Sequence, residues 1–467
     1  MSSHSDDIDT QNNGNTNEKV KEIQIHENTS QILQQEVLGN EKENLSQKES
    51  VTDNNVKVET VTPQNIADTK VNDTVEIKSN KNKKSKPKYN YVQINNGKAE
   101  EGMQTFEQYK IKYYPSLNKD LPLKYFTKLL FKSMGYYCEL EINIFTQSFN
   151  QKYKKEQISD IDVLGIRIEN DLSIDFIPVE CKSGEDGALD ELLKLKGLME
   201  YLNSHKGYLI KSKIANNARE MGEKINVSTI DQNEIRQLLN NIGLLNISDN
   251  KWVDTQLNNY LREKYICERA INFNRTLEYL RNEYWINKNF RNIHNIIFLS
   301  TSQKDSSVYS TDEGRYTLIQ LCKHLSISLL ILGSYIIHKN FSNPVDKVKE
   351  YMFGGAREKR EREVLFDKVN QILAGYGKTS QKFESDYIEH ITEVCIRLIS
   401  SPNYAKEIPA CFDYYLNAYI LKNDGYEKDK IPNVFTSITL KLAKDILVFL
   451  CKQGNIKTNI FDDFLNI

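Results

Sequence analysis

Residues 158–184 read ISDIDVLGIRIENDLSIDFIPVECKSG, and this stretch decides the fold. Apolar and polar residues alternate over residues 158–168 and again over residues 173–183, which is typical of half-buried β-strands. Only the short polar link at residues 169–171 separates the two runs. The pattern therefore predicts two neighbouring antiparallel strands joined as a hairpin.

Charged side chains collect on one side of this predicted hairpin. Alternate residues of a strand share a face, so Asp160 projects with Asp162 on the first strand. On the second strand, Glu180 projects with Lys182 for the same reason. The other face of the second strand is apolar and suits a core, since it carries Ile177, Val179 and Cys181. The sequence thus predicts two to three carboxylates and one ammonium group in one place.

Carboxylates gathered in this way point to a bound metal ion. Like charges repel, and their burial costs several kcal/mol unless a cation compensates. Mg²⁺ suits the arrangement because it binds through one or two carboxylates and keeps water and substrate phosphate as further ligands. Such an ion polarises a phosphoryl oxygen and lowers the pKa of a bound water, while Lys182 would orient that water or stabilise charge on the phosphate. In the empty site, replacing Asp162 by asparagine is expected to relieve repulsion and stabilise the protein slightly.

Neither half of the charged pattern is specific by itself. Glu-x-Lys occurs by chance in most chains of this length, and Asp-x-Asp on a strand is also common. The combination is more specific: an aspartate strand flanked by apolar residues, a short turn, an apolar run ending in Glu-x-Lys and then an amphipathic helix. The alternative is that Asp162, Glu180 and Lys182 form an ion-pair cluster on the surface of a hairpin.

The residues around the hairpin predict a mixed α/β unit. Apolar residues at helical spacing, followed by Gly135, indicate a helix at residues 122–134. Residues 136–146 alternate and predict a strand, with Glu139 and Glu141 on its solvent face. After the hairpin we predict a helix at 188–203, a strand at 207–214, a helix at 216–225, a strand at 227–230 and a helix at 233–242.

In the order of these elements and in the residues quoted, the chain resembles the PD-(D/E)XK nuclease superfamily, especially its Mrr-like, type IV restriction endonuclease branch. The resemblance covers residues 121–242 and includes GYLIKSKIANNAREMGEKINVSTID at residues 207–231. It implies a restriction-endonuclease-like core and hydrolysis of DNA with Mg²⁺ or Mn²⁺. It also implies that Asp162 and Glu180 bind the metal and that Lys182 assists the attacking water.

The chain departs from the family pattern in two places. Many members carry a glutamate on the first helix, but residues 122–134 contain no acidic residue, which leaves Glu139 or Glu141 as substitutes. Many also place a glutamine on the helix after Glu-x-Lys. Lys196 is the nearest polar candidate for that role here, and the alternative is that Lys196 is an exposed helix lysine. Asp160 is either an outer or second metal ligand or a polar flank of its strand.

The rest of the chain divides into a tail and a helical region. Residues 1–88 contain no Trp, Phe or Tyr and are predicted to be disordered. They end in KNKKSKPK, which either contacts phosphate or is a solvated linker. We assign residues 89–245 to the nuclease domain and residues 246–467 to a mainly α-helical domain. In the latter we predict helices near 253–290, 313–338, 344–375, 383–400, 404–422 and 435–453, with one strand at 293–300.

Composition narrows the function classes. Residues 1–80 hold 15 acidic and 7 basic residues, so the remainder carries a net charge of +6, which fits either a polyanion partner or ordinary solvated lysines. The seven cysteines form no C-x-x-C pair, which favours reduced thiols in a cytoplasmic protein over a zinc site.

Residues 316–337 are apolar but interrupted by polar side chains, so we predict a buried helix and no membrane span. The basic and acidic residues of GGAREKRERE, at 354–363, alternate closely enough to favour a self-paired helix surface over a DNA contact.

The charged hairpin and the resemblance together predict a metal-dependent DNA endonuclease, and the resemblance implies a role in restriction or phage defence. The helical domain would recognise the target, a protein partner or a second copy of the chain. Two alternatives stay open: a repair or recombination nuclease that cuts branched DNA, and a catalytically inactive scaffold that binds nucleic acid. The defence role comes from the resemblance alone.

Overall fold

The structure is a computed structural model, and its described residues are 105–145, 156–185, 187–244, 250–303, 305–339, 343–377, 379, 383, 385–423, 425–426 and 431–467. The predicted tail at residues 1–88, with its basic run KNKKSKPK, lies outside these residues. The described residues belong to one compact unit.

A five-stranded mixed sheet lies at the centre of the first half of this unit. Its strands are β1 Tyr137–Phe145, β2 Gln157–Ile168, β3 Ile174–Lys182, β4 Gly207–Lys211 and β5 Val227–Asp231. They lie side by side in chain order. The pairs β1–β2 and β2–β3 are antiparallel, whereas β3–β4 and β4–β5 are parallel. The predicted α/β class and the antiparallel hairpin are confirmed.

Helices make up most of the remaining structure. Around the sheet they are α1 Phe106–Tyr113, α2 Leu121–Ser133, α3 Ala188–Leu202, α4 Asn216–Lys224 and α5 Gln232–Asn241. Beyond it they are α6 Asn250–Arg269, α7 Asn274–Asn282, α8 Asn289–Thr301, α9 Asp312–His338, α10 Pro344–Met352, α11 Ala356–Gly375, α12 Tyr387–Ser400, α13 Pro402–Ala405, α14 Ile408–Tyr415, α15 Ile431–Val434, α16 Ser437–Gln453 and α17 Asp462–Leu465. A π-helical segment, Leu416–Ile420, continues α14.

Both faces of the sheet are covered. On one face α2 and α5 pack against the strands through a cluster of buried residues: Leu123, Phe126, Phe131, Val163, Ile177, Val179, Cys181, Ile210 and Leu239. On the other face α3 and α4 bury Leu192, Leu195, Met199, Leu209 and Val227. The apolar residues predicted for one side of β3 therefore do enter the core.

The hairpin that carries the charged residues is fixed by its turn and by the helix beneath it. Glu169 donates its backbone N–H to Ser173, and Leu172 donates to Glu169. Leu172 has a φ of +63°, which is costly for a leucine. Its side chain is fully buried, and Gly333 of α9 leaves room for it, because a Cβ there would lie 2.8 Å from Leu172 Cδ1. Burial of this leucine thus offsets the strained turn and anchors the hairpin to α9.

Four predictions for the helical region were wrong. Residues 293–300 form no strand but lie within α8, where Ile293, Ile296 and Ile297 are buried at the i, i+3, i+4 spacing of a helix. Their branched side chains favoured a strand locally, but packing against α9 and α16 determined the outcome. The helix predicted at 344–375 is two helices, because Gly354 and Gly355 take φ of +94° and +139° between them. Shorter segments likewise replace the long helices predicted at 253–290 and 404–422.

The most apolar helix, α9, is a core helix. Among the described residues it is the one helix long and apolar enough to cross a membrane, and most of it is buried inside the protein. This agrees with the buried helix predicted at residues 316–337 and is consistent with a soluble protein. On α11, Arg357 pairs with Glu361 and Lys359 with Glu363, so the predicted self-pairing of this helix surface is confirmed.

Candidate active site

Strands β2 and β3 part at the residues that carry the charges. Their pairing runs from Ile168↔Ile174 to Val163↔Val179. Beyond that point β2 stays paired with β1, and β3 pairs with β4. Asp162 and Glu180 are the next residue on each strand, so both stand at the mouth of this opening.

Asp162 is buried in the opening, and both of its carboxylate oxygens are contacted. Oδ1 lies 2.8 Å from Lys124 Nζ. Oδ2 accepts a hydrogen bond from the backbone N–H of Cys181 at 2.8 Å and lies 3.3 Å from Lys182 Nζ. The aspartate is only 2% exposed, so these donors replace the water that a carboxylate otherwise binds.

Lys182 bridges the two buried carboxylates. Its Nζ lies 3.3 Å from Asp162 Oδ2 and 2.8 Å from Glu180 Oε1. Because one nitrogen contacts both groups, the two carboxylates lie well within ~10 Å of each other, and withdrawal of that nitrogen would let them approach and share an ion with ligand distances of ~2.1 Å. The structure therefore brings together Asp162, Glu180 and Lys182, the residues that the sequence predicts to converge.

The charge balance differs between the two carboxylates. Burial and the neighbouring charge of Asp162 raise the pKa of Glu180 to about 7, although Lys182 and Lys194 act in the opposite direction. Burial lowers the pKa of Lys182, but Asp162 and Glu180 outweigh it and raise that pKa above its usual value. Lys182 thus keeps its proton. A carboxyl group with a pKa near neutrality marks a place where negative charge is incompletely compensated, which is frequent at functional sites.

Lys194 of α3 is a site residue that the sequence did not single out. Its Nζ lies 3.4 Å from Glu180 Oε1 and 3.7 Å from Asp160 Oδ1. Lys196, the residue considered for this position, instead pairs with Glu200 at 2.7 Å. Two residues along a helix are separated by ~200° about its axis, so only one of the two lysines can face the strands. Asp160 itself is half exposed and lies at the rim of the site.

Lys124 of α2 is a second site residue that the sequence did not reveal. Its ammonium lies between Asp162, at 2.8 Å, and Glu141 of β1, at 3.2 Å. Burial lowers the pKa of Lys124, but the two carboxylates outweigh it and raise that pKa above its usual value. The helix on which the family pattern places a glutamate thus contributes a cation here.

Glu141 does not lie on a solvent face, contrary to the prediction from the alternation of β1. Its Oε2 accepts a hydrogen bond from Tyr260 at 2.7 Å and lies 3.5 Å from Lys264, both on α6. Burial raises the pKa of Glu141, but Lys264 and Lys124 lower it to about 2. The residue also has a φ of +54°, a conformation that costs roughly 1–3 kcal/mol in a residue other than glycine.

Glu139 is likewise covered by a helix that the sequence could not place there. Lys323 of α9, which is almost fully buried, contacts its Oε1 at 2.8 Å, and Tyr137 donates a hydrogen bond to the same oxygen. Burial raises the pKa of Glu139, but Lys323 and His324 bring it below its usual value. Glu139 therefore serves the packing of α9 against the sheet, and Glu141, not Glu139, is the glutamate of β1 next to Asp162.

The side chains of this site can be compared with what a divalent metal ion requires of its ligands. Among the described residues, no group of three or more His, Cys, Asp or Glu side chains is placed to hold a metal. Mg²⁺ requires only one or two carboxylates when water and substrate supply the other ligands. Asp162 and Glu180 meet that requirement: they are buried oxygen donors, they repel each other, and the cation between them, Lys182, has a side chain that is 27% exposed. The residues present fit such an ion, with Asp162 and Glu180 as its holders.

With a divalent ion bound, this arrangement could support hydrolysis of a phosphate ester. A bound Mg²⁺ would supply Lewis acidity and a water of lowered pKa. Lys182 is protonated and cannot act as a base, so its contribution is to hold a water or to stabilise charge on a phosphate. Lys194 reaches Glu180 from the rim with a partly exposed side chain, where it can meet a substrate phosphate.

No protein-family model, curated protein or solved structure matches the chain. Functional inference therefore depends on the geometry described above.

Proposed function

We propose that the chain is a Mg²⁺- or Mn²⁺-dependent endodeoxyribonuclease that hydrolyses phosphodiester bonds of DNA at the opening between β2 and β3. Asp162 and Glu180 hold the metal ion, and Lys182 positions the attacking water or the scissile phosphate. Asp160 acts from the rim as an outer ligand. This proposal keeps the resemblance to the PD-(D/E)XK superfamily that the sequence suggests.

The observation that carries the proposal is the shared contact of Lys182 with two buried carboxylates. Replacement of a buried ion cluster by apolar residues is often neutral or stabilising, so folding alone gives little reason for this one. The raised pKa of this buried Glu180 also indicates that the neighbouring lysines do not fully compensate its negative charge. A divalent cation in contact with both carboxylates would remove that deficit.

The topology supports the same function. A helix, three antiparallel strands, a crossover helix and a parallel strand appear in the order α2, β1, β2, β3, α3 and β4. This is the order that the resemblance implies for a restriction-endonuclease-like core. The +6 net charge of the chain beyond residue 80 suits a polyanion such as DNA. Free thiols at all seven cysteines suit a reducing compartment, so we place the protein in the cytoplasm, in restriction or phage defence.

The test is cleavage of supercoiled plasmid by the full-length protein with and without Mg²⁺, next to a Lys182→Ala variant. We expect nicked and linear DNA from the wild type with Mg²⁺ or Mn²⁺, no products in EDTA, and cleavage lowered by about 10²–10³-fold in the variant. Lys196→Ala is the matched control, because Lys196 lies on the neighbouring helix but pairs only with Glu200 among the described residues. Equal cleavage by the wild type and Lys182→Ala would refute the assignment of the site.

One observation favours a second candidate, a scaffold that binds nucleic acid without cutting it. Both oxygens of Asp162 already have cationic partners, so the cluster is compatible with a metal-free ion-pair network. Such a protein would bind DNA equally well in EDTA and in Mg²⁺, and it would show no metal-dependent cleavage. Comparison of linear, methylated and branched DNA in the same assay separates a defence nuclease from a repair nuclease.

A further inference from the structure

Three neighbouring strands each contribute one carboxylate to a row across the sheet, level with the point where β2 and β3 part. Glu141 lies on β1 between Leu140 and Ile142, which pair with Val163 and Ile161, so it stands opposite Asp162 of β2. Asp162 shares Lys182 with Glu180 of β3. The row of carboxylates therefore has two intervals. Lys124 occupies the interval between the first two, and Lys182 the interval between the last two.

The two lysines differ in how firmly they are enclosed. The side chain of Lys124 is 5% exposed, whereas that of Lys182 is 27% exposed. Lys124 lies in the first half of α2, between Leu123 and Phe126, which are both in the core. Lys182 is the last residue of β3, so its side chain can withdraw toward solvent. An incoming ion can therefore displace Lys182 from its interval much more easily than Lys124.

Glu141 is fixed by partners other than Lys124. Tyr260 and Lys264 contact its Oε2, while Lys124 contacts Oε1. The left-handed backbone at Glu141 is tolerated within β1, which indicates that the surrounding contacts determine it. The carboxylate would therefore stay opposite Asp162 if the lysine were removed.

We propose that Lys124 is a built-in cation that permanently fills the interval between Glu141 and Asp162, so that the site accepts a single divalent ion, in the interval now held by Lys182. Lys124 is a positioning residue: it neutralises the outer side of Asp162 and holds Oδ1 toward α2. This inference rests on the proposed metal-dependent function, and it identifies the residue that limits the site to one ion.

The test is the number of Mn²⁺ ions bound per chain, measured by calorimetric titration and by the electron paramagnetic resonance signal of free Mn²⁺. We expect one ion for the wild type and two for Lys124→Met, because methionine fills the volume but leaves Glu141 and Asp162 without a cation between them. Lys124→Arg restores the positive charge and should bind one ion. The double variant Lys124→Met/Glu141→Gln removes the cation together with one carboxylate, and it should also bind one.

Melting temperature gives a second readout. Without metal, Lys124→Met should melt below the wild type because two carboxylates are left facing each other, and Mn²⁺ should raise its melting temperature more than that of the wild type. A variant that folds only with Mn²⁺ supports the inference in the same way. A purely structural lysine would give lower melting temperatures with and without Mn²⁺ and one ion per chain, which overturns it. If Lys124→Met cannot be isolated at all, the double variant Lys124→Met/Glu141→Gln and Lys124→Arg decide. Binding of two ions by either of these variants contradicts the inference.

Failure of this inference and failure of the proposed function give different results. If the wild type binds one Mn²⁺ ion without cutting DNA and Lys124→Met binds two, the proposed nuclease activity is refuted but the role of Lys124 is supported. If the wild type cuts DNA and binds two ions, or if Lys124→Met still binds one, the role of Lys124 is refuted but the proposed nuclease activity is not.

Discussion

Substitution of Asp162 by asparagine should destabilise the metal-free protein, which is opposite to the effect expected from the sequence. The sequence shows only the repulsion between neighbouring carboxylates. In the structure, Asp162 accepts from donors on both sides: Lys124 at Oδ1, and Lys182 with the N–H of Cys181 at Oδ2. An asparagine has one acceptor oxygen, so either orientation of its amide turns the NH₂ group toward a donor.

The magnitude follows from burial of these groups. Asp162 is 2% exposed and the side chain of Lys124 is 5% exposed, so water cannot replace the lost partner. Removal of one member of a buried ion pair typically costs 3–5 kcal/mol. Lys124 keeps Glu141 as a partner and Lys182 keeps Glu180, which places the expected loss of unfolding free energy at the lower end, about 3 kcal/mol.

The assay is urea unfolding in EDTA at neutral pH, followed by tryptophan fluorescence and circular dichroism. Asp160→Asn is the matched control: its side chain is half exposed and lies 3.7 Å from Lys194, so it should change the unfolding free energy by less than ~1 kcal/mol. On plasmid DNA with Mg²⁺, Asp162→Asn should show no cleavage, whereas Asp160→Asn should retain some.

Two results would refute this reasoning. An Asp162→Asn protein as stable as the wild type in EDTA would mean that the lysines do not stabilise the aspartate. Cleavage of plasmid by Asp162→Asn at the wild-type rate would remove Asp162 from the metal site, whatever its effect on stability.

Three further predictions concern the same scaffold. Lys182→Ala should lower cleavage by about 10²–10³-fold but should retain or tighten Mn²⁺ binding, because an ammonium group is not a metal ligand and Lys182 holds the interval that the ion would enter; a loss of Mn²⁺ binding would contradict this. Since the pKa of Glu180 is raised from 4.5 to about 7, folded Glu180 retains a proton that the unfolded chain releases. The free energy of unfolding of the metal-free wild type should therefore fall by up to about 3 kcal/mol as pH rises from ~4.5 to ~7.5. Urea titrations of Glu180→Gln across the same range should not show this fall. Gly165→Ala should destabilise the protein by about 1–3 kcal/mol in the same unfolding assay, because a Cβ there would lie 2.8 Å from the ring of Phe131 in the core; unchanged stability would show that this ring can move.

The hairpin and its charges were predictable because their signals are local. Strand alternation places Asp162 and Glu180 without knowledge of the rest of the chain, and the short link fixes which strands pair. The same holds for α3 and α4, whose predicted ends differ from the observed ends by one residue. Periodicity and turn length therefore determine the part of the site that lies on β2 and β3.

The lysines of the site were not predictable for the opposite reason. Lys124 and Lys194 lie on amphipathic helices, where a lysine is ordinarily solvated, and their carboxylate partners are distant in sequence. Glu141 was assigned to solvent because β1 alternates, but its contacts with Tyr260 and Lys264 depend on the docking of α6. Only the tertiary structure shows that helices cover this side of the strand.

The arrangement of charges argues for a functional site on physical grounds. A cluster needed only for stability would be best served by enclosing each cation equally, since water weakens an ion pair and an unpaired buried charge is costly. Here Lys124 is enclosed, but Lys182 and Lys194 are partly exposed at the mouth where β2 and β3 part. The result is one closed interval and one open interval in the same row of carboxylates. The open interval lies between Asp162 and Glu180, the carboxyl group whose pKa is raised to about 7. This is the interval in which the proposed divalent cation would lie.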